Sequence, residues 1–214
     1  MNTALDHLVV VAHDLDQGAA WAERTLGVAP APGGKHPLMG THNWLLALDD
    51  SDAYIEIIAI DPAAPPPGRA RWFGIDELEE AVREEPRLVS FAARTNNLDM
   101  HRWGLIAAGF LPGTPFAAQR ETASGLLRWR IAVPDDGRPL AGGAMPALIQ
   151  WEGRHPSATL PRSGITLEGL TLRGLPGSAA DVLRLRPIDL QPLPGPALQA
   201  RLRTPRGFVT LTSP

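Results

Sequence analysis

The sequence contains no cysteine among its 214 residues. That absence excludes disulfide bonds, thiolate metal ligands and cysteine nucleophiles together. An excess of basic charge is also missing, because the formal net charge is −3, which is not typical of proteins that bind nucleic acid or anionic membranes. The apolar run at residues 8–12 is too short for a secretory core or a membrane span. We therefore expect a cytoplasmic protein.

Two common catalytic motifs are missing as well. No serine lies in a GxSxG elbow, and Gly33 and Gly34 lack the spacing and setting of a phosphate-binding loop. The remaining composition is that of an ordinary globular protein, with 44% hydrophobic and 20% charged residues. The 22 prolines and 21 glycines are scattered between periodic segments, which predicts many turns.

One pattern of elements opens the chain and is then repeated. A strand at residues 5–11 is followed by a helix with Asp14 as its N-cap and Gly27 at its end. The same order recurs after a strand at residues 88–95, where Asn97 opens a helix closed by Gly109. Further strands are predicted within 28–31 and at 43–48, 53–60, 116–120, 126–133 and 146–152. A supersecondary unit used twice, about eighty residues apart, explains this self-similarity.

The last part of the sequence predicts a third, incomplete copy. It contains a strand, a short helix and a hairpin, at residues 165–173, 178–185, 197–203 and 208–212. We therefore expect an α+β fold in which repeated βαβββ modules form a cupped mixed sheet, with a partial third copy at the C-terminus. The predicted boundaries within this one domain are residues 1–62, a linker with a short acidic helix over 75–85 in residues 63–86, then 87–156 and 157–214.

Several short segments resemble the vicinal-oxygen-chelate superfamily, which includes glyoxalases, extradiol dioxygenases and bleomycin-resistance proteins. LDHLVV at residues 5–10 and YIEI at 54–57 are similar to its opening module. GTHNWLLAL at 40–48 and IQWE at 149–152 look like the glyoxalase-like domain of bacterial proteins. The resemblance implies a cup between two modules, a small-molecule ligand, and metal ligands on the first and last strands of each module.

The repeat assigns residues to those four positions. His7 corresponds to Ser90 and Glu56 corresponds to Gln150, so the set is His, Glu, Ser and Gln. Period-2 alternation predicts that Leu5 and His7 share one face of the first strand, and that Tyr54 and Glu56 share one face of theirs. His7, Glu56 and Gln150 are ligand types for a divalent metal such as zinc, manganese, nickel or iron, whereas a neutral serine is a poor ligand. Three interpretations stay open: a catalytic metal site, a His7–Glu56 pair that fixes the strands, and a metal-free pocket with Glu56 as base.

Other residues are candidates for contacting a ligand at the mouth or wall of the cup. They are His42, Asn43, Ser90, Arg94 and Trp151. Arg128 and Arg130 are interpreted as a solvated sheet face, and His155 as a cap. His13, His36 and His101 are expected to be exposed, since they lie at loop or helix-start positions.

Two functions are compatible with these residues. One is a metal-dependent lyase, isomerase or dioxygenase that acts on a small oxygen-bearing molecule, such as an acid. The other is a metal-free protein that binds or sequesters such a molecule, as a monomer or homodimer. Fold resemblance alone does not choose between them.

Overall fold

The first part of the chain folds into a βαβββ unit. In the computed structural model, which describes residues 3–78, 80–122, 125–185, 188–191 and 194–214, this unit precedes a linker that contains the short helix α2 (Ile75–Leu78). Its elements are β1 (Ala4–Val11), α1 (Leu15–Thr25), β2 (Ala31–His36), β3 (Thr41–Ala47) and β4 (Tyr54–Ile60). The predicted cap of α1 is confirmed, because Asp14 Oδ1 accepts a hydrogen bond of 2.7 Å from the Gln17 backbone.

The second unit repeats this element order. It consists of β5 (Arg87–Arg94), α3 (Leu98–Ala107), β6 (Phe116–Thr122), β7 (Gly125–Ala132) and β8 (Ala147–Glu152). Asn97 caps α3 by accepting from Met100 N at 3.1 Å. Gly27 and Gly109 end the two helices with positive φ, 81° and 90°, as the repeat predicted.

Both units contribute to one eight-stranded sheet with the order β2-β3-β4-β1-β5-β8-β7-β6. Within each unit the first strand runs parallel to the fourth, and the units join where β1 pairs antiparallel with β5. The two edge strands approach each other: a Cβ added to Gly34 on β2 would lie 2.8 Å from Arg120 Nη1 on β6. The sheet therefore curls into the predicted cup.

The two faces of this sheet bury different apolar clusters. The inner cluster contains Val9, Ile58 and Trp129. The outer cluster contains Leu8 and Ile57, and it extends over α1 and a second sheet. Because alternate residues of a strand point to opposite faces, the continuous apolar runs of β1 and β4 serve both clusters.

The C-terminal unit forms the second sheet. Its elements are β9 (Thr166–Arg173), α4 (Gly177–Leu183), β10 (Asp189–Gln191), β11 (Leu198–Thr204) and β12 (Gly207–Thr212). The element order again is βαβββ, but the strand order is β10-β9-β11-β12, so its first strand lies between the second and third. Strand β10 has no counterpart in the sequence prediction.

Two sequence-based boundaries change in the structure. The acidic helix expected over residues 75–85 ends at Leu78, and residues 80–84 form turns, while Glu79 lies outside the described residues. Gln17 Nε2 donates to the carbonyls of Val82 and Arg83 at 2.8 and 2.9 Å, which ties this turn to α1. The strand expected within 28–31 begins at Ala31 and includes Gly33 and Gly34, because pairing with β3 overrides the turn preference of glycine.

Candidate functional site

A histidine and a glutamate from parallel neighbouring strands face each other inside the cup. His7 on β1 lies opposite Tyr54 on β4, and Glu56 follows on the same face. His7 Nε2 is 3.4 Å from Glu56 Oε2, and the two residues are buried. The rings of His7 and Tyr54 stack, with centroids 4.8 Å apart. Period-2 alternation predicted this face of β4 correctly.

A β-bulge brings a second acidic residue to the same place. The register between β1 and β5 shifts between Leu5 and His7, so that Asp6 is an extra residue on β1. Leu5 packs against the outer cluster, whereas His7 faces the cup; the expected shared face of Leu5 and His7 is therefore wrong. Simple alternation cannot reveal a bulge, and for that reason the sequence analysis missed Asp6.

Asp6 is fully buried and accepts hydrogen bonds from three side chains. His7 Nδ1 lies 2.6 Å from Oδ1, while Trp151 Nε1 and His155 Nε2 lie 2.9 and 3.0 Å from Oδ2. A buried carboxylate needs such donors in order to remain ionised. His155 is also the predicted cap, because its Nδ1 accepts a hydrogen bond from Ser157 N. Its contact with Asp6 through Nε2 was not predicted from the sequence.

These contacts shift the pKa values of both partners. Burial alone would raise the pKa of Asp6, but the hydrogen bonds from His155 and His7 outweigh burial and hold that pKa well below its usual range. Burial alone would lower the pKa of His7, but the hydrogen bond to Asp6 and the charge of Glu56 raise it above 6.5. The pair is thus an Asp–His arrangement that favours the imidazolium, with Nε2 directed at Glu56.

Glu56 is held from the other side by Asn43 on β3. Asn43 Nδ2 donates to Glu56 Oε1, and Asn43 Oδ1 accepts from Gly34 N at 2.9 Å. The amide orientation is fixed by these two bonds, because one end must donate and the other must accept. Asn43 therefore positions the Glu56 carboxylate.

The space between His7, Asn43 and Glu56 is a small inner chamber of the cup, and a buried cation completes its wall. Arg120 from β6 lines the chamber together with His7, Asn43 and Glu56, and Arg120 is only 7% exposed. Its Nη1 has no hydrogen-bond partner among the described residues. Burial lowers the pKa of Arg120, although the charges of Tyr54 and Glu56 oppose this change. Arg120 shares the inward face of β6 with Phe116 and Ala118. Strand periodicity could therefore have predicted from the sequence that Arg120 faces the cup.

Two further side chains of the chamber were also missed. Trp72, from a 3₁₀ turn at Trp72–Gly74, lines the chamber and has a buried Nε1 without a partner in the described part of the chain. His36 on β2, expected to be exposed, is buried edge-on to Trp72 at a ring distance of 5.0 Å. Burial, together with the charge of Arg120, lowers the pKa of His36 to about 3, so this imidazole is neutral.

The expected metal ligands do not converge. Gln150 alternates with Ile149 and Trp151, which line the chamber, so its side chain points to the other face and accepts from Leu98 N at 2.9 Å. Ser90 is buried along a different cavity, opposite Val9.

Two of the expected ligand-contacting residues also lie elsewhere. His42 points away from Asn43 on β3 and lies near the charges of Asp61 and Lys35. Arg94 forms a 3.4 Å ion pair with Asp52 at the surface. By contrast, Asn43 and Trp151 both reach the chamber.

The chamber is a poor match for a divalent metal. Catalytic zinc sites usually combine three protein ligands, and no group of three or more His, Asp or Glu suited to a metal occurs among the described residues. His7 and Glu56 supply two donors, and Glu56 is already bonded to Asn43. The guanidinium of Arg120 occupies the same chamber and would repel a second cation. Within the described residues, the donor set therefore does not fit the expected zinc, manganese, nickel or iron.

No helix in the described part of the chain is long and apolar enough to cross a membrane.

No curated protein matches the sequence. Among solved structures, a hypothetical protein from Staphylococcus aureus superposes with a TM-score of 0.59 at 15% identity, over 98% of this chain and 86% of that one. That likeness is one of fold.

Methylmalonyl-CoA epimerases give weaker matches. The Mycobacterium tuberculosis enzyme has a TM-score of 0.43 at 21% identity, over 70% of this chain and 87% of its own. A variant of the Streptomyces coelicolor enzyme, in complex with 2-nitronate-propionyl-CoA, has a TM-score of 0.46 at 17% identity, over 72% and 99%. The family model described as the glyoxalase-like domain matches residues 5–183. The chain belongs to the glyoxalase-like domain family.

Proposed function

We propose that the inner chamber binds the acidic group of a small oxygen-bearing molecule without the help of a metal ion. The observation that carries this proposal is the pair of buried donors, Arg120 Nη1 and Trp72 Nε1, which line one chamber and lack partners among the described residues. A buried donor left unsatisfied costs about 1–3 kcal/mol. Carboxylate oxygens would satisfy both donors, and a planar guanidinium pairs well with a carboxylate.

The acid–base groups opposite Arg120 fit the same ligand. The raised pKa of His7 keeps positive charge in the chamber and offsets the acidic residues Asp6 and Glu56. Because His7 offsets the carboxylates beside it, Arg120 remains as the cation without a partner among the described residues, and an incoming carboxylate meets it in a site shielded from water. Electrostatic interactions are stronger there than at a surface.

The proposal is tested by adding acetate and 2-oxobutyrate to protein held in EDTA, with thermal unfolding and calorimetric titration as readouts. We expect both acids to bind and to raise Tm, and Arg120→Gln to weaken binding by about tenfold to a hundredfold. Arg130→Gln is the matched control, because Arg130 pairs with Asp99 at the surface, outside the chamber.

Three results would overturn the proposal. One is that neither acid binds, and another is equal binding by the Arg120→Gln protein. The third is stoichiometric metal in the protein purified without an affinity tag that disappears in His7→Ala and Glu56→Ala and is required for binding.

A second candidate function, proton transfer at carbon, is favoured by the buried His7–Glu56 pair. Glu56 would remove a proton from the carbon next to a carbonyl, and the negative charge that develops on the carbonyl oxygen would be stabilised by Arg120. Returning the proton to the opposite face of the same carbon, or to a different atom, makes the reaction an isomerisation, whereas return to the same position gives only exchange with solvent.

This candidate predicts exchange with solvent deuterium. In D₂O, NMR should show loss of the C3 proton signal of 2-oxobutyrate faster than in buffer alone. Glu56→Gln should abolish the enzymatic rate, while Glu121→Gln, at an exposed position on β6 of the same sheet that lines neither cavity, should keep it. Exchange at the buffer rate would leave binding as the function.

A further inference from the structure

A second cavity adjoins the inner chamber. This outer cleft has a volume of about 430 Å³ and shares the wall residues His36, Trp72 and Trp129 with the chamber. Such a volume lies in the range of small-molecule sites. The inner chamber, in contrast, has a volume of only about 20 Å³, which is room for one carboxylate oxygen, a group about the size of a water molecule. A ligand whose carboxylate reaches into the chamber must therefore place its remaining atoms in the outer cleft.

The walls of the outer cleft favour a flat, uncharged group. Trp72 and Phe116 present nearly parallel rings, 29° apart with centroids separated by 6.4 Å. Trp129 and Met39 add apolar surface from buried positions. Flat aromatic walls bind planar apolar groups through both area and ring geometry.

The charged residues of the cleft do not alter this preference. Arg128 and Glu152 both line it, and they are direct cross-strand partners on β7 and β8. Their opposite charges therefore neutralise each other. His36, at the boundary between the two cavities, has its pKa lowered to about 3 and contributes no positive charge there.

We infer that the natural ligand is an amphipathic acid, with its carboxylate in the inner chamber and a flat apolar tail, of the size of one or two aromatic rings, in the outer cleft. This inference rests on the proposed function for the position of the carboxylate. What it adds is the chemical class of the rest of the ligand and the surface that recognises it.

A series of acids with growing tails tests the inference on the unmodified protein. The probes are acetate, phenylacetate and 2-naphthylacetate, with 2-phenylethanol as the tail without its charge, and the readout is calorimetric titration. Each buried methylene equivalent is expected to improve affinity about fourfold. Phenylacetate should therefore bind at least tenfold more tightly than acetate, and 2-naphthylacetate more tightly again. 2-Phenylethanol should bind much more weakly than phenylacetate.

A variant that fills the outer cleft locates the tail. Ala118 lines the cleft from β6, so Ala118→Phe should remove the preference for phenylacetate over acetate while acetate binding persists. Ala20→Phe is the matched control, because Ala20 is exposed on α1 outside both cavities. Tryptophan fluorescence should change with phenylacetate in the unmodified protein and in the control, since Trp72 and Trp129 line the cleft.

The outcomes separate the two proposals. If acetate binds through Arg120 but phenylacetate binds no more tightly, acid binding in the inner chamber is supported. The inference of an amphipathic ligand is then wrong. An unchanged tail preference in a folded Ala118→Phe protein also contradicts the assigned cleft. If none of the acids binds, the proposed function fails and this inference fails with it. Should Ala118→Phe not fold, the series of acids with growing tails still tests whether the ligand is amphipathic.

Discussion

At the scale of single residues, Asp6 determines the state of the acid–base pair. It is a fully buried carboxylate whose three bonded side chains come from β1, from β8 and from the turn that follows β8. By accepting from His7 Nδ1, it leaves Nε2 facing Glu56. Such a second carboxylate fixes both the orientation and the proton of a histidine.

Substitution of Asp6 should therefore change the titration of His7. Asp6→Asn removes the negative charge, so we expect the pKa of His7 to fall, as followed by NMR titration of the ring signals. The free energy of unfolding should fall by about 3 kcal/mol, because buried donors lose their ionised acceptor. Asp99→Asn, which breaks an exposed ion pair with Arg130, should change it by less than about 1 kcal/mol. An unshifted His7 titration would contradict this role for Asp6.

His36 makes a separate prediction about pH. Its folded pKa of about 3 lies below its ordinary value of 6.5, so the unfolded chain takes up a proton that the folded protein excludes. Stability is therefore lost as pH falls from about 6.5 towards 3, by about 1.4 kcal/mol per pH unit. His7, whose folded pKa is raised, stabilises the folded protein by a constant amount below pH 6.5. That contribution to the free energy of unfolding declines only as pH rises above 6.5.

Urea unfolding between pH 4.5 and 6.5 measures this effect. The unmodified protein should gain stability with pH more steeply than His36→Gln. His13→Gln, a change at an exposed histidine, should keep the steep slope. Parallel curves for the unmodified protein and His36→Gln would show that His36 is not excluded from protonation.

At the scale of elements, the glycines of β2 allow the close packing that holds Glu56. A Cβ at Gly33 would lie 2.1 Å from Asn43 Oδ1 and 2.7 Å from the Asn43 carbonyl oxygen. Gly33→Ala should thus displace Asn43, and with it the carboxylate of Glu56, at a cost of about 1–3 kcal/mol.

The matched control lies in the second sheet. Gly169 on β9 has nothing within 4 Å of an added Cβ, so Gly169→Ala should be neutral or slightly stabilising. Denaturant unfolding compares the two variants, and acetate titration reports the site. Equal stability of both variants would show that the β2–β3 approach has room for a side chain.

Sequence periodicity predicted most elements, since capped helices and alternating strands carry local signals. It placed Glu56 and Tyr54 on one face correctly, because β4 is regular. It failed at Asp6, where a bulge breaks the alternation, and at Gln150, whose face depends on the pairing of β8 with its neighbours. Arg120 and Trp72 come from distant segments, and only the closure of the sheet brings them to His7.

At the scale of the whole molecule, the outer cluster joins both sheets. It contains Ile57 and Leu46 from the large sheet with Leu170, Leu198 and Leu202 from the small one. Removing the small sheet would expose this apolar surface to water. The predicted single domain is therefore expected to unfold as one cooperative unit.

Two probes test that cooperativity. All six tryptophans precede residue 157, so tryptophan fluorescence reports the large sheet and its connections, whereas far-UV circular dichroism also reports the C-terminal sheet. The two unfolding curves in urea should coincide. A dichroism transition at lower urea with unchanged fluorescence would show that the C-terminal unit unfolds separately.

The junction of β1 with β5 has a consequence for how the site can change over time. A cup made from two identical chains receives every substitution twice, once on each side of its symmetry axis. Here both halves belong to one polypeptide, so a substitution in one half of the cup leaves the other half unchanged. One half carries the acid–base pair His7 and Glu56, and the other carries Arg120. Covalent fusion of the halves thus permits an unsymmetrical site, suited to a ligand whose two ends differ.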